Sequence, residues 1–246
     1  MNRFVLQLNF STVMRSLLLI ACLIFISSCK NPQEVVYSDA LLSSNRKYIE
    51  ENAALLEAAK MNISDTSFVS LKEYGKDFFY DMKYATEDNF LKTKVYDCPE
   101  CYLRFKTVKA LVKANQAFVK LGYKIKIYDC YRPLDVQKKM WAITPNATYV
   151  ADPEKGSIHN RGGAVDITLT DYSGNELDMG TKFDHFGPEA AHDYKNLSAE
   201  VLANRKLLKD IMLRNGFKSF ASEWWHYNLT NASTLPISNF VWDCKN

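Results

Sequence analysis

Two short stretches hold the residues best suited to chemistry. Residues 157–166 contain a histidine, His159, and a carboxylate seven positions later, Asp166. Residues 223–227 read Glu-Trp-Trp-His-Tyr and supply Glu223 and His226. Two histidines and one aspartate form an N/N/O ligand set for Zn²⁺, which leaves the fourth tetrahedral position to water. Glu223 is then a spare carboxylate that can act as a base toward that water.

Each histidine alone is equally compatible with a hydrogen-bonded core residue. The chain contains only four histidines, however, and both of these lie near an acid in Gly-rich or aromatic surroundings. That combination favours a metal site. The other two, His185 and His192, are interpreted as ordinary polar residues.

The motif Ser-x-His-x-x-Gly-x-Ala-x-Asp of residues 157–166, followed by Glu-x-x-His, resembles the zinc D-alanyl-D-alanine metallopeptidases. With Glu-Trp-Trp-His-Tyr and the upstream Asp-Cys-Tyr-Arg-Pro of residues 129–133, the sequence is similar to their dipeptidase branch, the vancomycin-resistance type. The similarity extends from about Tyr80 to Tyr227. It implies the compact zinc-peptidase fold shared with the hedgehog signalling domain, one Zn²⁺ per chain, and hydrolysis of the D-alanyl-D-alanine dipeptide in cell-wall metabolism.

The resemblance also implies roles for individual residues. Arg132 corresponds to the arginine that stabilises negative charge on the tetrahedral intermediate. Tyr84, in the segment Tyr-Ala-Thr-Glu-Asp-Asn-Phe, corresponds to a substrate-contacting tyrosine, and Asp184 to the carboxylate that binds the substrate ammonium. Ser157 lies two residues before His159, close enough to the metal to bind the carboxylate side of a dipeptide.

Three other functions use the same residues. A D,D- or L,D-carboxypeptidase acting on peptidoglycan stem peptides would have the same metal chemistry in a more open cleft. A non-catalytic peptide- or wall-binding protein on this fold would typically lack the base or the arginine, whereas Glu223 and Arg132 are both present. A structural zinc site more often has four protein ligands.

The first thirty residues are typical of an export signal. Arg3 and Arg15 precede an apolar run over residues 17–26, which is shorter than the roughly 20 residues of a membrane span. The ending Ile-Ser-Ser-Cys resembles a bacterial lipobox, with cleavage before Cys29 and lipid on its sulfur. An ordinary signal peptide is the alternative. We therefore expect a periplasmic lipoprotein that touches the membrane only through its N-terminal anchor.

Composition limits the other partners. The net charge is only +3 and both signs are mixed along the chain, so nothing predicts nucleic-acid binding. The implied partner is a small dipeptide substrate.

With Cys22 and Cys29 assigned to the export signal and its lipidation site, four cysteines remain: Cys98, Cys101, Cys130 and Cys244. An oxidising compartment favours two disulfides among them, with three possible pairings. Half of a structural zinc site or a redox-active pair at Cys98 and Cys101 are weaker alternatives. The resemblance implies the pairing Cys101–Cys130, which leaves Cys98–Cys244.

Periodic patterns predict the elements that position these residues. Mixed elements without βαβ repetition indicate an α+β fold, with a mostly antiparallel sheet and flanking helices. An offset of three would place Glu223 and His226 on opposite faces of a regular strand, so one shared site requires an irregular strand. We predict a signal over 1–28, a tether and short helix over 29–66, and a peptidase domain over 67–246. The predicted helices are 48–61, 106–121, 134–141 and 198–215, and the predicted strands are 68–84, 124–128, 164–169 and 223–229.

Overall fold

The computed structural model describes residues 39–60 and 62–244. The predicted signal segment and Cys29 lie outside them. The described residues from Ser43 onward belong to one compact unit. The described helices are α1 (Asp39–Lys60), α2 (Leu71–Tyr74), α3 (Phe105–Val119), α4 (Leu134–Ile143) and α5 (Ala199–Arg214). The strands are β1 (Phe68–Ser70), β2 (Phe79–Tyr80), β3 (Tyr102–Arg104), β4 (Lys124–Asp129), β5 (Ala164–Thr170), β6 (Phe217–Phe220) and β7 (Glu223–Leu229).

A five-stranded sheet in the order β2-β4-β5-β7-β6 forms the centre of the molecule. The β4–β5, β5–β7 and β6–β7 pairs are antiparallel and β2 runs parallel to β4. Strands β1 and β3 form a separate antiparallel pair. The predicted α+β class with a mostly antiparallel sheet is therefore confirmed.

Side chains of β5 point alternately to the two faces of the sheet, one toward the hydrophobic core and the other toward the candidate site. Val165, Ile167 and Leu169 pack into the main hydrophobic core, together with the buried faces of α3 and α5. Asp166 and Thr168 alternate with them and so face the other side of the sheet. All seven residues of β5 are buried. One face of the sheet therefore packs against helices, and the other carries the polar side chains of Asp166 and Thr168, which are also buried.

The two long helices that cover the core begin and end close to the predicted positions. Ser198 caps α5 by accepting a hydrogen bond from the Val201 backbone N–H at 3.2 Å. Just past the end of α5, Gly216 has φ +87°, a left-handed conformation that glycine adopts without steric cost. On α5 the inward residues are Val201, Leu208, Ile211 and Met212, as predicted.

The single strand predicted over residues 68–84 is wrong. That segment forms β1, the short helix α2, β2 and a 3-10 turn over Lys83–Ala85. Its continuity is interrupted between Gly75 and Asp77, where Asp77 has a positive φ of 59° that extended strands do not contain. The aromatic residues Phe79 and Tyr80 do enter the sheet, as β2.

The first helix is longer than the predicted patch at residues 48–61. Helix α1 starts at Asp39 and has 22 residues, because residues 39–60 contain no glycine or proline. The serines and asparagine near its start lower helix propensity by less than about 0.7 kcal/mol each. Its buried stripe consists of Tyr48, Asn52, Leu56 and Ala59. The prediction that this helix packs on the domain is confirmed. The prediction that it is short is wrong, because it has 22 residues.

Both implied disulfides are present. Cys98–Cys244 has a Cα–Cα distance of 5.8 Å, and Cys101–Cys130 one of 5.4 Å. These bonds rule out the half zinc site at Cys98 and Cys101. Within the described residues, no helix is both long enough and apolar enough to span a membrane.

Candidate active site

Three neighbouring strands place the acidic and imidazole groups in one row. Asp166 in the central strand β5 is opposite Asp129 on β4 and opposite His226 on β7. A register shift between Ile127 and Asp129 brings Asp129 into this row. His159 comes from a 3-10 turn, His159–Arg161, that precedes β5.

His159, Asp166 and His226 converge on one point. The His159 Nε2 atom lies 3.2 Å from His226 Nδ1 and 3.4 Å from an Asp166 carboxylate oxygen. His226 Nδ1 lies 2.9 Å from the other oxygen of Asp166. One possible ligand atom from each of the three residues lies within 4.8 Å of the other two, so the group can hold a metal ion.

The outer nitrogen of each imidazole faces a fixed acceptor. His159 Nδ1 lies 2.6 Å from the Cys130 carbonyl oxygen, and His226 Nε2 lies 2.9 Å from the Asn228 side-chain oxygen. Each contact assigns the ring proton to the outer nitrogen, since an oxygen acceptor requires a donor there. Both lone pairs then point inward, next to a carboxylate. Such a cluster of acceptors fits a bound cation.

Electrostatics in the site favour an ionised aspartate. Burial alone would raise the pKa of Asp166, but His159 and His226 hold it well below its usual range. Burial lowers the pKa of His226, and its contact with Asp166 more than reverses that effect. The charged carboxylate is the form that binds a metal ion.

Glu223 reaches this site because β7 is irregular. Tyr227 pairs with Ser219, but Glu223 pairs with the very next residue, Phe220, so three residues of β7 bulge between the two pairs. Trp224 and Trp225 in that bulge are both buried, as expected for core and pocket wall. The irregularity that the offset of three required is therefore present.

The Glu223 carboxylate is half-buried and close to charged groups. Burial raises its pKa above the usual value, while His226, His159 and Arg132 act to lower it and Asp166 to raise it further. Among the described residues, no hydrogen bond engages this carboxylate. It is consequently available to accept a proton.

Arg132 is held rigidly beside the site. Its Nη2 donates to Asp129 at 2.7 Å and its Nη1 to the Gln137 side chain at 3.0 Å. Its guanidinium carbon lies 5.2 Å from the centre of the Tyr84 ring. Burial would lower the pKa of Arg132, but Asp129 keeps it well above the usual value. The Nε–H is buried and has no hydrogen-bond partner within the described part of the chain.

Tyr84 and Asp184 meet although a hundred positions separate them. The Tyr84 hydroxyl donates to the Asp184 carboxylate at 2.9 Å. Burial raises the pKa of Asp184 well above its usual value, and the nearby charge of Asp166 adds to this. Asp184 also lines a cleft of about 810 Å³ whose wall includes Trp224 but none of the three metal-ligand candidates. The ligand set, rather than this cleft, marks the chemical centre.

Ser157 is turned toward its own backbone. Its Oγ accepts the His159 backbone N–H at 3.1 Å, which helps to begin the 3-10 turn. The Asn160 side chain accepts from the Ser157 backbone N–H and donates to the Arg132 carbonyl. The hydroxyl proton of Ser157 remains to be donated, so a substrate contact stays a prediction.

Sequence reasoning missed the residues that orient the site. Asp129 is fully buried and accepts from Tyr96, from Arg132 and from the Cys130 backbone. Its position inside the Asp-Cys-Tyr-Arg-Pro motif was the available signal. Gln137 and Asn228 gave none, because a single polar residue in a helix or strand has many explanations.

The remaining histidines lie apart from the metal group. His185 pairs with Glu189 at 3.0 Å. His192 packs near the Tyr227 ring, and burial lowers its pKa to about 4. Neither contributes to the cluster.

The sequence of this chain matches a known family model. Residues 64–242 match the model of Peptidase M15, described as D-ala-D-ala dipeptidase. The chain belongs to this family. The match covers all of the site residues just described.

Individual proteins similar to this chain have the same name as the description of the family model. A D-alanyl-D-alanine dipeptidase of Escherichia coli K12 is 36% identical over 183 residues, which cover 74% of this chain and 95% of the relative. A protein of the same name from Enterococcus faecium is 30% identical, over 74% of this chain and 100% of its own length. One from Enterococcus faecalis is 31% identical, over 67% and 92%. Peptidase M15 enzymes are metallopeptidases, and the group of His159, Asp166 and His226 is where this chain can bind its metal.

Proposed function

We propose that this protein is a zinc-dependent dipeptidase that hydrolyses D-alanyl-D-alanine. The observation that carries the proposal is the inward convergence of His159, Asp166 and His226, with the Glu223 carboxylate free beside them. Two imidazoles and one carboxylate suit Zn²⁺ and leave a position for water. The names of the relatives supply the substrate.

In this proposal the chain's residues divide the reaction between them. Bound zinc would act as a Lewis acid on the scissile carbonyl and lower the pKa of its water. The Glu223 carboxylate takes a proton from the attacking water and delivers it to the leaving amine. Arg132, fixed by Asp129 and Gln137, presents positive charge to the developing oxyanion. Because Arg132 is already oriented, its side chain needs little rearrangement when negative charge develops on the substrate oxygen.

Tyr84 and Asp184 define the preference for a free dipeptide. A dipeptide has an ammonium group on one side of the scissile bond and a carboxylate on the other. The buried Asp184 carboxylate, bonded to the Tyr84 hydroxyl, is suited to the ammonium. Ser157 serves the carboxylate side with its hydroxyl proton. An N-acylated peptide would leave Asp184 buried without a cationic partner, which is costly.

The test compares three substrates on purified protein, with and without Zn²⁺. We expect hydrolysis of D-Ala-D-Ala, and little of L-Ala-L-Ala or of an intact stem pentapeptide. Chelation should abolish the activity and added Zn²⁺ should restore it. Preferred cleavage of the pentapeptide would instead identify a carboxypeptidase. A chain that binds D-Ala-D-Ala without hydrolysing it would be a binding protein.

We also propose that the chain is exported to the periplasm and anchored by lipid on Cys29. The support is the Ile-Ser-Ser-Cys ending of the apolar run, together with two disulfides that suit an oxidising compartment. Mass spectrometry of the N-terminal peptide and fractionation of Cys29→Ala cells test this. We expect lipid on Cys29 and release of the variant from the membrane fraction. Equal fractionation of both forms would contradict it.

A further inference from the structure

Arg205 of α5 is a buried cation that binds backbone instead of a carboxylate. Its side chain is 4% exposed. Its Nε donates to the Met179 carbonyl at 2.7 Å, and its Nη1 donates to the carbonyls of Glu189 at 2.9 Å and Ala191 at 3.2 Å. The guanidinium also lies over the Trp224 ring, at 5.9 Å from its centre. All three acceptors belong to one segment, residues 179–191.

That segment carries Asp184 between the points where Arg205 holds it. Asp184 has φ +57°, a left-handed conformation that is uncommon for non-glycine residues, although aspartate adopts it more readily than most. A further tie joins Thr181 to Trp224, whose ring N–H donates to the threonine hydroxyl at 2.7 Å. With both ends tied to neighbouring elements, the segment places the Asp184 carboxylate within hydrogen-bond distance of the Tyr84 hydroxyl.

The chemistry of arginine suits this task. Its planar guanidinium has five N–H donors in a fixed geometry, so it can bind several carbonyls at once, whereas lysine is a single flexible point charge. Burial lowers the pKa of Arg205, and Asp178 only partly opposes this. A buried charge is costly unless it is well bonded. Three carbonyl contacts, through Nε and Nη1, supply much of that bonding and tie the segment to α5, while Nη2 has no hydrogen-bond partner within the described residues.

We propose that Arg205 is a positioning residue that fixes Asp184 for the substrate ammonium and thereby sets the preference for a free amino terminus. The inference rests on the proposed dipeptidase function. It assigns Arg205 no contact with substrate, metal or reacting atoms.

Arg205→Met tests the idea, because methionine keeps an apolar stem and removes every donor. We expect KM for D-Ala-D-Ala to rise on the order of tenfold, as when a charge-assisted contact is weakened, with kcat within about twofold. The ratio of kcat/KM between free and N-acetylated dipeptide should narrow. Arg205→Lys keeps the charge without the fixed fork and should give an intermediate KM. It also serves if the methionine variant does not fold.

Asn115→Ala is the matched control. Asn115 is fully buried and bonds to the Tyr48 hydroxyl, the Asp77 carbonyl and the Ile125 N–H, all away from residues 179–191. It should lower the melting temperature while leaving KM and the substrate ratio unchanged.

Hydrogen exchange gives a readout that does not depend on activity. In Arg205→Met, amides within residues 179–191 should exchange faster while those of β5 keep their protection. Unchanged exchange, or an unchanged KM despite faster exchange, would overturn the proposal. A parallel fall of kcat, bound metal and protection throughout the chain would also overturn it, in favour of a purely structural role. If the wild-type protein does not cleave D-Ala-D-Ala, the proposed function fails, and exchange still decides whether Arg205 holds the segment.

Discussion

In each imidazole of the site, one ring nitrogen donates a hydrogen bond to an oxygen of the protein. The other ring nitrogen is then unprotonated and can bind a metal ion. The Cys130 carbonyl fixes His159, and the Asn228 amide oxygen fixes His226. With both protons directed outward, the inner nitrogens act as ligands without rearrangement. The same principle applies to Arg132, which Asp129 and Gln137 orient. The candidate site is therefore organised before substrate arrives.

Glu223→Gln should separate the base from the ligands. The amide cannot accept the water's proton, so kcat should fall about 10²–10⁴-fold, the usual effect of losing an acid/base group. Bound zinc should stay near one per chain, measured by elemental analysis. Because burial raises the pKa of Glu223, the acid limb of the wild-type kcat/KM profile should lie above the ordinary glutamate value of 4.5.

Glu176→Gln is a suitable control for that measurement. Glu176 bonds Lys126 at 3.0 Å and has an exposed carboxylate, so its amide variant should keep both zinc and turnover. If Glu223→Gln lost its zinc together with its activity, Glu223 would be a ligand and not the base.

Asp184→Asn should raise the melting temperature of the protein and weaken its binding of D-Ala-D-Ala. Burial and Asp166 raise the pKa of Asp184 in the folded chain, so this carboxyl begins to destabilise the fold as pH rises above its unfolded pKa, and the cost is complete above the raised pKa. The amide removes this cost. In chelator-treated protein the variant should melt at a higher temperature at neutral pH, and the gain should shrink as pH falls through the raised pKa.

Kinetics of the same variant report the function of the charge. Its KM for D-Ala-D-Ala should rise, since the ammonium loses its counter-ion. A variant that melts at a lower temperature than wild type at neutral pH would show that the Asp184 charge stabilises the fold.

At the scale of elements, the two disulfides lie differently with respect to the site. Cys101–Cys130 joins the residue before β3 to the residue after β4, and the Cys130 carbonyl is the one that orients His159. Cys98–Cys244 joins positions 146 residues apart and contacts Trp242, whose ring N–H lies 3.2 Å from the Cys98 sulfur. The first bond supports the site, and the second fixes the C-terminal segment.

Each disulfide can be removed by replacing both of its cysteines with serine. We expect loss of Cys98–Cys244 to lower the free energy of unfolding more, and loss of Cys101–Cys130 to lower zinc affinity more. On the chain-entropy model, losing Cys101–Cys130 costs about 3–4 kcal/mol in the free energy of unfolding, and losing Cys98–Cys244 about 5 kcal/mol. Zinc affinity should fall more in the first variant, because His159 loses its fixed partner. Equal zinc affinities would show that the Cys130 carbonyl is positioned without the disulfide.

The sequence predicted elements well where periodicity was strong. The alternation in β5 predicted which residues face the site, and the offset between Glu223 and His226 predicted an irregular β7. Prediction failed over residues 68–84, where short aromatic runs are compatible with one strand or several. It also failed at the start of α1, since polar residues near a helix start are compatible with a tether or with a helix.

On the scale of the whole molecule, the sheet separates stability from chemistry. One face packs against α3 and α5 to form the main core, and the other carries the ionisable groups. The ligand residues were predictable because their types and spacing are distinctive. The positions of Gln137, Asn228 and Arg205 depend on long-range packing that a single sequence does not contain.

The most direct test of the account is the ratio of kcat/KM for D-Ala-D-Ala to that for N-acetyl-D-Ala-D-Ala, measured on zinc-loaded wild-type protein. The buried Asp184 carboxylate and its Tyr84 partner need a cation that the acetylated peptide lacks. We predict a ratio on the order of 10³ or more, as for sites whose buried polar groups are left unpaired by the wrong substrate. A ratio near unity would contradict the assignment of Asp184 to the ammonium, and with it the dipeptidase function.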